Sequence, residues 1–292
     1  MGQDYIIATA STCDLRREFL EKHNIPFISY SYVMDGTDYS DDCLEETRQE
    51  TYSLMRQGKL LSTSAINMYS YRDFFEGILK EGYRTIIFLD MSRPLSSSYH
   101  YCDEAIEDLA DDYPDREIIN VDTRCISGGL GMLVKNVCKL YEDGVSKDAM
   151  LAWIEENKLR IAHRFTVDDL KWLKIGGRVS NASALVGTLL SIKPVLYVPD
   201  EGTLVASEKV RGRKAALNSI IESIGRDYID SNEPEFLINH ADCLEDADYV
   251  RTKIKEMYPS AHVEISGLGV VIGAHCGPGL LAVFYYTDAR RQ

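Results

Sequence analysis

The chain has 292 residues, of which 45% are hydrophobic, and its formal net charge is −14. This length exceeds the roughly 100–150 residues of a typical single domain, so we expect two domains with a ligand cleft between them. The strong negative charge repels nucleic acids and anionic lipid surfaces, so neither is an expected partner. No segment approaches the roughly 20 apolar residues that span a bilayer, so we expect no stable membrane insertion.

The N-terminal stretch MGQDYIIATA lacks the charged start and the long apolar run of a signal peptide, and we therefore expect a cytoplasmic protein. The seven cysteines are scattered and odd in number, and no C-x-x-C pair occurs. This pattern favours reduced thiols over a disulfide framework or a zinc ribbon.

In the first half of the chain, strand-like and helix-like segments alternate. The predicted strands are DYIIATAST, PFISYSYVM, RTIIFLDMS and REIINVDT. The predicted helices between them are DLRREFLEKH, SDDCLEETRQETYSLMRQG and YCDEAIEDLADDY. Asp35-Gly36 is typical of a turn after the second strand, and Gly58 is expected to end the second helix. The alternation predicts an α/β domain with a parallel sheet over residues 1–155.

In the second half, antiparallel signals take over. A helix is predicted over SKDAMLAWIEENKLR and a strand over IAHRFTV, followed by a helical region that carries GGRVSNASALVGTLLSI. PVLYVPDEGTLVASEKV has the pattern of a hairpin, and VEISGLGVVIGAH and LLAVFYYT are predicted as further strands. Residues 156–292 are therefore predicted to form an α+β domain with a largely antiparallel sheet.

Three predicted loops in the first half are rich in hydroxyl groups. These are Ser11-Thr12, the loop LLSTSAIN and the loop MSRPLSSSYH. Serine and threonine often cap helices, which explains any single hydroxyl. The second and third loops carry more hydroxyls than capping requires, and a surplus of neutral donors suits a carboxylate or phosphate ligand. Loops after the carboxyl ends of parallel strands are also where ligands of such sheets bind.

Common signatures of other function classes do not occur. Gly128, Gly129 and Gly131 follow a strand but lack the G-x-G-x-x-G spacing, and the sequence has no G-x-x-x-x-G-K-[ST] loop. The histidines form no H-E-x-x-H pair, and no G-x-S-x-G elbow is present. We therefore expect no nucleotide cofactor and no metal ion. A hydrolase or transferase that uses a loop serine with His275 stays open as an alternative.

The stretch GAHCGPG places His275 and Cys276 together, in a predicted glycine-proline turn between two apolar segments. A metal site, a Cys-His nucleophile pair and a donor for a bound anion would all use this chemistry. Neighbouring residues usually point apart, so Cys276 is expected to be a packing residue that faces away from the site. Arg211, in EKVRGRKAAL, is expected to be exposed at the start of a helix.

Several of these segments occur in the same order in one protein family. They are LLSTSAIN, MSRPLSSSYHYCDEA, VDTRCISGGLGMLV, GGRVSNASALVGTLLSIKPVL, the pair GTL and VRGRKAAL, HADCLEDA and GAHCGPGLLAVFY. Together they extend over essentially the whole chain, which resembles the DegV family of bacterial fatty-acid-binding proteins.

The resemblance implies a non-catalytic, two-domain protein that binds one long-chain fatty acid, with the carboxylate between the domains and the tail inside the second domain. It implies no cofactor, and it implies a candidate partner, the ATP-binding subunit of a fatty-acid kinase. By motif position, Thr63 and Ser96 would hydrogen-bond the carboxylate and His275 would lie beside it. Arg211 would lie near the phosphoryl-transfer region, and Arg178 would have a structural or partner-facing role.

Two departures from the family pattern affect the expected head-group site. Ala65-Ile66 stands where the family commonly has Gln-Pro, so the loop after Thr63 lacks a rigid proline. Ser97 stands where the family favours glycine. The additional side chain of Ser97 is expected to narrow the head-group pocket or to add a hydrogen-bond donor.

Overall fold

The computed structural model describes residues 4–178, 192–229 and 234–288. A four-stranded parallel sheet forms the first domain, in the strand order β2-β1-β6-β7. Its strands are β1 (Tyr5–Ala10), β2 (Phe27–Ile28), β6 (Thr85–Asp90) and β7 (Glu117–Asp122). β1 and β6 are apolar runs buried along their whole length, as in sheets covered on both faces.

Helices connect the strands of this half of the chain, and those at Met68–Lys80, Ser98–Asp112 and Gly128–Glu142 contact the parallel sheet. The helices are α1 (Arg17–Lys22), α2 (Glu45–Arg56), α3 (Met68–Lys80), α4 (Ser98–Asp112) and α5 (Gly128–Glu142). Short 3-10 turns lie at Ser11–Cys13 and Arg93–Leu95, directly after β1 and β6. The predicted parallel α/β architecture is confirmed.

A small antiparallel sheet in this half was not predicted. It contains β3 (Ser31–Met34), β4 (Thr37–Ser40) and β5 (Leu61–Ser64), with β3 in the centre. The single strand predicted over residues 26–34 is wrong, because Phe27–Ile28 pairs with β1 whereas Ser31–Met34 pairs with β4 and β5. The second hydroxyl loop is therefore largely a strand. The turn at Asp35-Gly36 is confirmed, and both residues have positive φ angles.

The second domain is built on a six-stranded sheet in the order β10-β9-β8-β13-β11-β12. Its strands are β8 (Ile161–Thr166), β9 (Ile192–Tyr197), β10 (Val205–Arg211), β11 (Glu235–His240), β12 (His262–Gly267) and β13 (Leu281–Tyr286). Its helices are α6 (Lys147–Asn157), α7 (Leu170–Gly176), α8 (Arg213–Asp227), α9 (Leu244–Met257) and α10 (Val270–Cys276), with a 3-10 turn at Lys158–Arg160. All strand pairs are antiparallel except β11 with β12, which confirms the predicted largely antiparallel sheet.

The continuous strand predicted over residues 263–275 is wrong. β12 ends at Gly267, and the chain then turns through Leu268-Gly269 into α10. Gly273 lies within α10 and not in a turn, and a β-carbon there would lie 2.0 Å from the Tyr52 hydroxyl of α2. The run VVIGAH is apolar enough for a strand, but its glycine permits a close helix-to-helix contact with α2.

Helix α5 lies between the two sheets and joins the domains. It contacts β1 and β6 on one side and β8, β11 and β13 on the other. A β-carbon on Gly129 would lie 2.0 Å from His163 Nε2, and one on Gly128 would lie 2.6 Å from the Phe284 ring. The glycines that superficially resemble a dinucleotide motif therefore allow this helix to contact the second sheet closely.

The domain boundary near residue 155 stays a prediction, and α6 spans this position. The helix predicted over residues 176–192 lies mostly outside the described residues, and α7 ends at Gly176. Within the described part of the chain, every helix is too short or too polar to cross a bilayer.

Candidate functional site

A cavity of about 100 Å³ lies where segments of both domains meet, and a group of polar side chains forms part of its largely apolar wall. Its wall includes Tyr30, Thr63, Ser96, Ser97, Arg178 and His275. A second cavity of about 50 Å³ adjoins it and has an entirely apolar lining surface. The two cavities share Ile126, Leu204, Ile272 and Cys276, so they are neighbouring chambers with a common wall. We call them the polar chamber and the apolar chamber.

His275 lies in the last turn of α10 and reaches across to the first domain. Its Nε2 is 2.9 Å from Thr63 Oγ1 on β5, and its Nδ1 is 3.1 Å from the carbonyl oxygen of Gly176. A β-carbon on Gly176 would lie 2.7 Å from Nδ1, so the absence of a side chain there gives the ring its place. Burial and the nearby Arg178 guanidinium lower the pKa of His275 to about 4, so the imidazole is neutral at physiological pH.

Ser96, Ser97 and Ser98 have three different environments. Ser98 is fully buried, and its Oγ accepts a hydrogen bond of 3.1 Å from the Ile66 amide, which fixes the segment after β5. Ser96 Oγ lies 3.1 Å from Ser98 Oγ and also accepts from the Ser98 amide. Ser97 is exposed and lines the mouth of the polar chamber. Ser96 and Ser97 therefore face the chamber, whereas Ser98 has a structural role.

Arg178 connects the two sides of the polar chamber. Its Nε donates to the Leu95 carbonyl at 3.2 Å, and its Nη1 donates to the Gly176 carbonyl at 2.7 Å. Its guanidinium is the one cationic group among the described lining residues, apart from the titratable His275. The structural role expected for Arg178 agrees with these contacts, and its location on the chamber wall places it beside the site.

Tyr30 is a residue of the chamber that the sequence did not reveal. Only 2% of its surface is exposed, and within the described residues its hydroxyl makes no hydrogen bond. The hydroxyls of Ser96, Ser98 and Tyr71 lie near enough to affect its ionisation, but burial dominates and raises the pKa of Tyr30. The side chain is thus a neutral phenol with a free donor beside the chamber. The motif S-Y-S-Y carries no spacing that marks Tyr30 as a ligand contact.

Cys276 was expected to face away from the site. It instead forms part of the wall between the two chambers. It is 4% exposed, and burial raises the pKa of its thiol to about 12. A thiol of this pKa is not ionised at neutral pH and is a poor nucleophile. The geometry therefore gives no support to a Cys-His nucleophile pair.

The structure does not bring Arg211 to the polar chamber. The residue ends the edge strand β10 and is exposed, and α8 begins two residues later at Arg213. The expectation that Arg211 starts a helix is wrong, because Gly212 separates the strand from the helix with a φ of 91°.

One group of described residues has atoms spaced as in metal sites, namely His23, Cys138 and Glu142. His23 Nδ1 lies 2.6 Å from Glu142 Oε1, within hydrogen-bond distance. None of the three lines either chamber. The group links α1 to α5.

Comparison with known proteins gives the same fold and a family. Residues 5–288 match a family model with the description "Uncharacterised protein, DegV family". The chain belongs to the DegV family. It is 38% identical over 287 residues to a DegV domain-containing protein of Clostridium perfringens, a match that includes 98% of each chain.

Solved structures of DegV proteins match nearly the whole length of the chain. A fatty-acid-binding DegV family protein of Thermus thermophilus matches with a TM-score of 0.86 and 26% identity over 97% of this chain and 99% of its own. DegV of Bacillus subtilis, described as a fatty acid binding protein, matches with a TM-score of 0.82 and 25% identity over 98% and 100%. DegV proteins of known structure thus bind fatty acids.

Proposed function

We propose that this protein binds one long-chain fatty acid, with its carboxyl group in the polar chamber and its acyl tail in the apolar chamber. The observation that carries the proposal is the junction of a chamber lined by hydroxyls and an imidazole with a chamber whose lining is entirely apolar. An amphiphile with one polar end and a long apolar chain is complementary to this arrangement. The fatty acids bound by related DegV proteins have this chemistry.

The tail supplies most of the affinity. Each buried methylene group contributes roughly 0.8 kcal/mol gross, before the cost of association is subtracted, so the affinity grows with the length of tail that is buried. Phe165, Ala282 and Phe284 of the six-stranded sheet line the apolar chamber, together with Leu268 and Leu280 from its loops. The tail is therefore proposed to lie mainly within the second domain.

The head group determines the orientation of the ligand. A buried carboxyl group is stable only when its oxygens are hydrogen-bonded. We propose Thr63, Ser96, Ser97 and His275 as its contacts, and we add Tyr30 because its hydroxyl has no other partner among the described residues. Such local hydrogen-bonding groups suit a chain with a net charge of −14, which has no general positive field to attract anions.

We further propose that the protein presents the acyl carboxyl group to a separate ATP-binding kinase subunit, which would form the acyl phosphate. Its sequence lacks the common phosphate-binding loop, so a partner would bring the nucleotide. An open cleft lined by Arg93, Ser96, Ser97 and Arg178 adjoins the polar chamber and would give a partner access to the carboxyl group. Arg211 is exposed and therefore available to a partner, but it does not reach the ligand.

The alternative function, an acyl hydrolase that uses a serine with His275, receives no support from the geometry. A catalytic triad requires a carboxylate on the second imidazole nitrogen. His275 Nδ1 faces the Gly176 carbonyl instead, and its Nε2 faces a threonine.

Extraction of the purified, denatured protein followed by mass spectrometry tests fatty-acid binding. We expect close to one fatty acid per chain in protein purified from cells. Repeated recovery of none, together with no uptake of added fatty acid by the purified protein, would overturn the proposal.

A further inference from the structure

We propose that the polar chamber selects a head group that carries a proton, so that the ligand is bound as the neutral carboxylic acid. Thr63 Oγ1 accepts the acid O–H, and the Tyr30 hydroxyl donates to the acid carbonyl oxygen. This inference rests on the proposed function and specifies the chemical form of the ligand.

The neutral His275 ring carries its hydrogen on Nδ1. The Gly176 carbonyl oxygen can only accept, so the Nδ1 that faces it at 3.1 Å carries a hydrogen. The ring is neutral at physiological pH, because burial and the Arg178 guanidinium hold the pKa of His275 near 4. A neutral imidazole with a hydrogen on Nδ1 has a lone pair on Nε2.

Thr63 acts as a hydrogen-bond acceptor toward a ligand. Nε2 of His275 accepts, so the Thr63 hydroxyl at 2.9 Å donates its only hydrogen to the ring. What Thr63 offers to a ligand is then a lone pair on Oγ1. A carboxylate has only acceptor oxygens and would face this lone pair unfavourably, whereas a carboxylic acid donates to it.

Tyr30 provides the hydrogen-bond donor for the other oxygen of the ligand. The Tyr30 hydroxyl is buried and belongs to the chamber wall, and it donates no hydrogen bond to another described residue, while the hydroxyls of Ser98, Ser96 and Tyr71 can donate to its oxygen. A free donor and a free acceptor therefore lie in one chamber. This is the complement of the acceptor C=O and the donor O–H of a carboxylic acid.

Other charged groups leave this arrangement in place. α10 packs against α2, α7, β3 and β5, and Arg178 follows α7. The charged or titratable side chains on these elements are Glu45, Glu46, Arg48, Glu50, Tyr52 and Arg56 on α2, Lys171 and Lys174 on α7, and Tyr32 on β3; β5 has none. Asp14 and Asp41 lie near Gly269 at the start of α10. Among these charges, Arg178 is the one that lowers the pKa of His275, so it opposes protonation of the ring.

A primary fatty amide provides the decisive probe, because its N–H₂ can donate to Thr63 and its C=O can accept from Tyr30. The experiment measures the Kd of tetradecanoic acid, tetradecanamide and methyl tetradecanoate for delipidated protein between pH 6 and pH 8.5. The free acid ionises with a pKa of roughly 4–5, so its Kd should rise about tenfold per pH unit, while that of the amide stays constant. The ester lacks the hydrogen and should bind at least tenfold more weakly than the amide.

The opposite result is equally clear. A Kd of the acid that does not change with pH, with an amide at least a hundredfold weaker at pH 8, would show that the site binds the carboxylate and would overturn the inference. Failure of all three ligands to bind would instead contradict the proposed function itself.

Tyr30→Phe tests the donor. We expect it to weaken the acid and the amide equally, by about fivefold to tenfold, and to leave the pH dependence of the acid unchanged. Tyr286→Phe is the matched control, because the Tyr286 hydroxyl is also buried and without a hydrogen-bond partner among the described residues, and Tyr286 lines neither chamber. Equal binding by Tyr30→Phe and the unmodified protein would remove Tyr30 from the site.

Discussion

The two chambers of the proposed lipid site are built in different ways. The polar chamber gathers single side chains from segments far apart in sequence, such as Thr63 and His275, which are 212 residues apart. The apolar chamber is lined by residues of β8 and β13 and by side chains from the loops and from α10 around them, and most of these side chains are apolar. In the proposed complex, a few specific contacts would set the orientation of the fatty acid, whereas the buried area of its tail would set the affinity. The predictions below separate these two contributions.

The largest effect is expected from filling the apolar chamber. Ala282→Leu adds three carbons to its wall on β13. If the added side chain excludes about four methylenes of the tail, the loss is roughly 3 kcal/mol, or about a hundredfold in Kd. Binding of a fluorescent fatty acid checks this. Ala162→Leu is the control, because Ala162 is equally buried but belongs to the core cluster that excludes the apolar chamber. Equal loss in both variants would contradict the assignment of the tail.

Removal of two hydroxyls from the polar chamber should have a smaller effect. Thr63→Val combined with Ser96→Ala deletes two hydrogen-bonding groups, at about 0.5–1.5 kcal/mol each, so we expect Kd to rise about fivefold to a hundredfold. Isothermal titration with a fatty acid measures the change. Ser62→Ala, on the same strand but outside the chamber lining, should bind like the unmodified protein. Unchanged lipid retention in the double variant would show that the head group lies elsewhere.

Displacement of the His275 ring should change the orientation of that ring more than the affinity for the fatty acid. Gly176→Ala places a β-carbon within 2.7 Å of His275 Nδ1, so the ring must move away from the Gly176 carbonyl. We expect Kd to rise about fivefold, and the ¹⁵N chemical shifts of the His275 ring to change. Gly225→Ala is the control, because its nearest neighbour, Met257 Sδ, is 3.8 Å away. An unchanged His275 spectrum would mean that the ring is not held by Gly176.

The smallest effect is expected at the common wall of the chambers. Cys276→Ala should change Kd by less than about threefold, since the side chain contributes packing only. Its pKa of about 12 also predicts that iodoacetamide labels Cys276 far more slowly than a free cysteine at pH 7.5. Rapid labelling at this position, measured by mass spectrometry, would restore a nucleophilic role.

The sequence predicted the parts of the molecule that depend on local patterns. Apolar runs such as TIIFLD specify buried parallel strands, and the turn at Asp35-Gly36 follows from backbone preferences. It failed at residues 263–275, where an apolar run folds as a strand and then as a helix. Local hydrophobicity does not distinguish a buried strand from a buried helix. The difference lies in tertiary packing, such as the close approach of Gly273 to Tyr52.

The lining of the polar chamber was predicted only in part, because it depends on tertiary contacts as well as on local patterns. Thr63, Ser96, Ser97 and His275, which the family motifs singled out, line one chamber, and their contact with a carboxyl group stays a prediction. Tyr30 was missed, because its significance lies in an unpartnered hydroxyl that only the tertiary structure reveals. Arg211 does not line the chamber, and its expected place near the phosphoryl-transfer region stays a prediction.

A crystal structure of the protein with a bound fatty acid tests the central claim most directly. We predict electron density for the carboxyl group within hydrogen-bond distance of Thr63 and Tyr30, and for the tail beyond Cys276 among the residues of the apolar chamber. A ligand bound in the opposite direction, or outside the two chambers, would contradict the account.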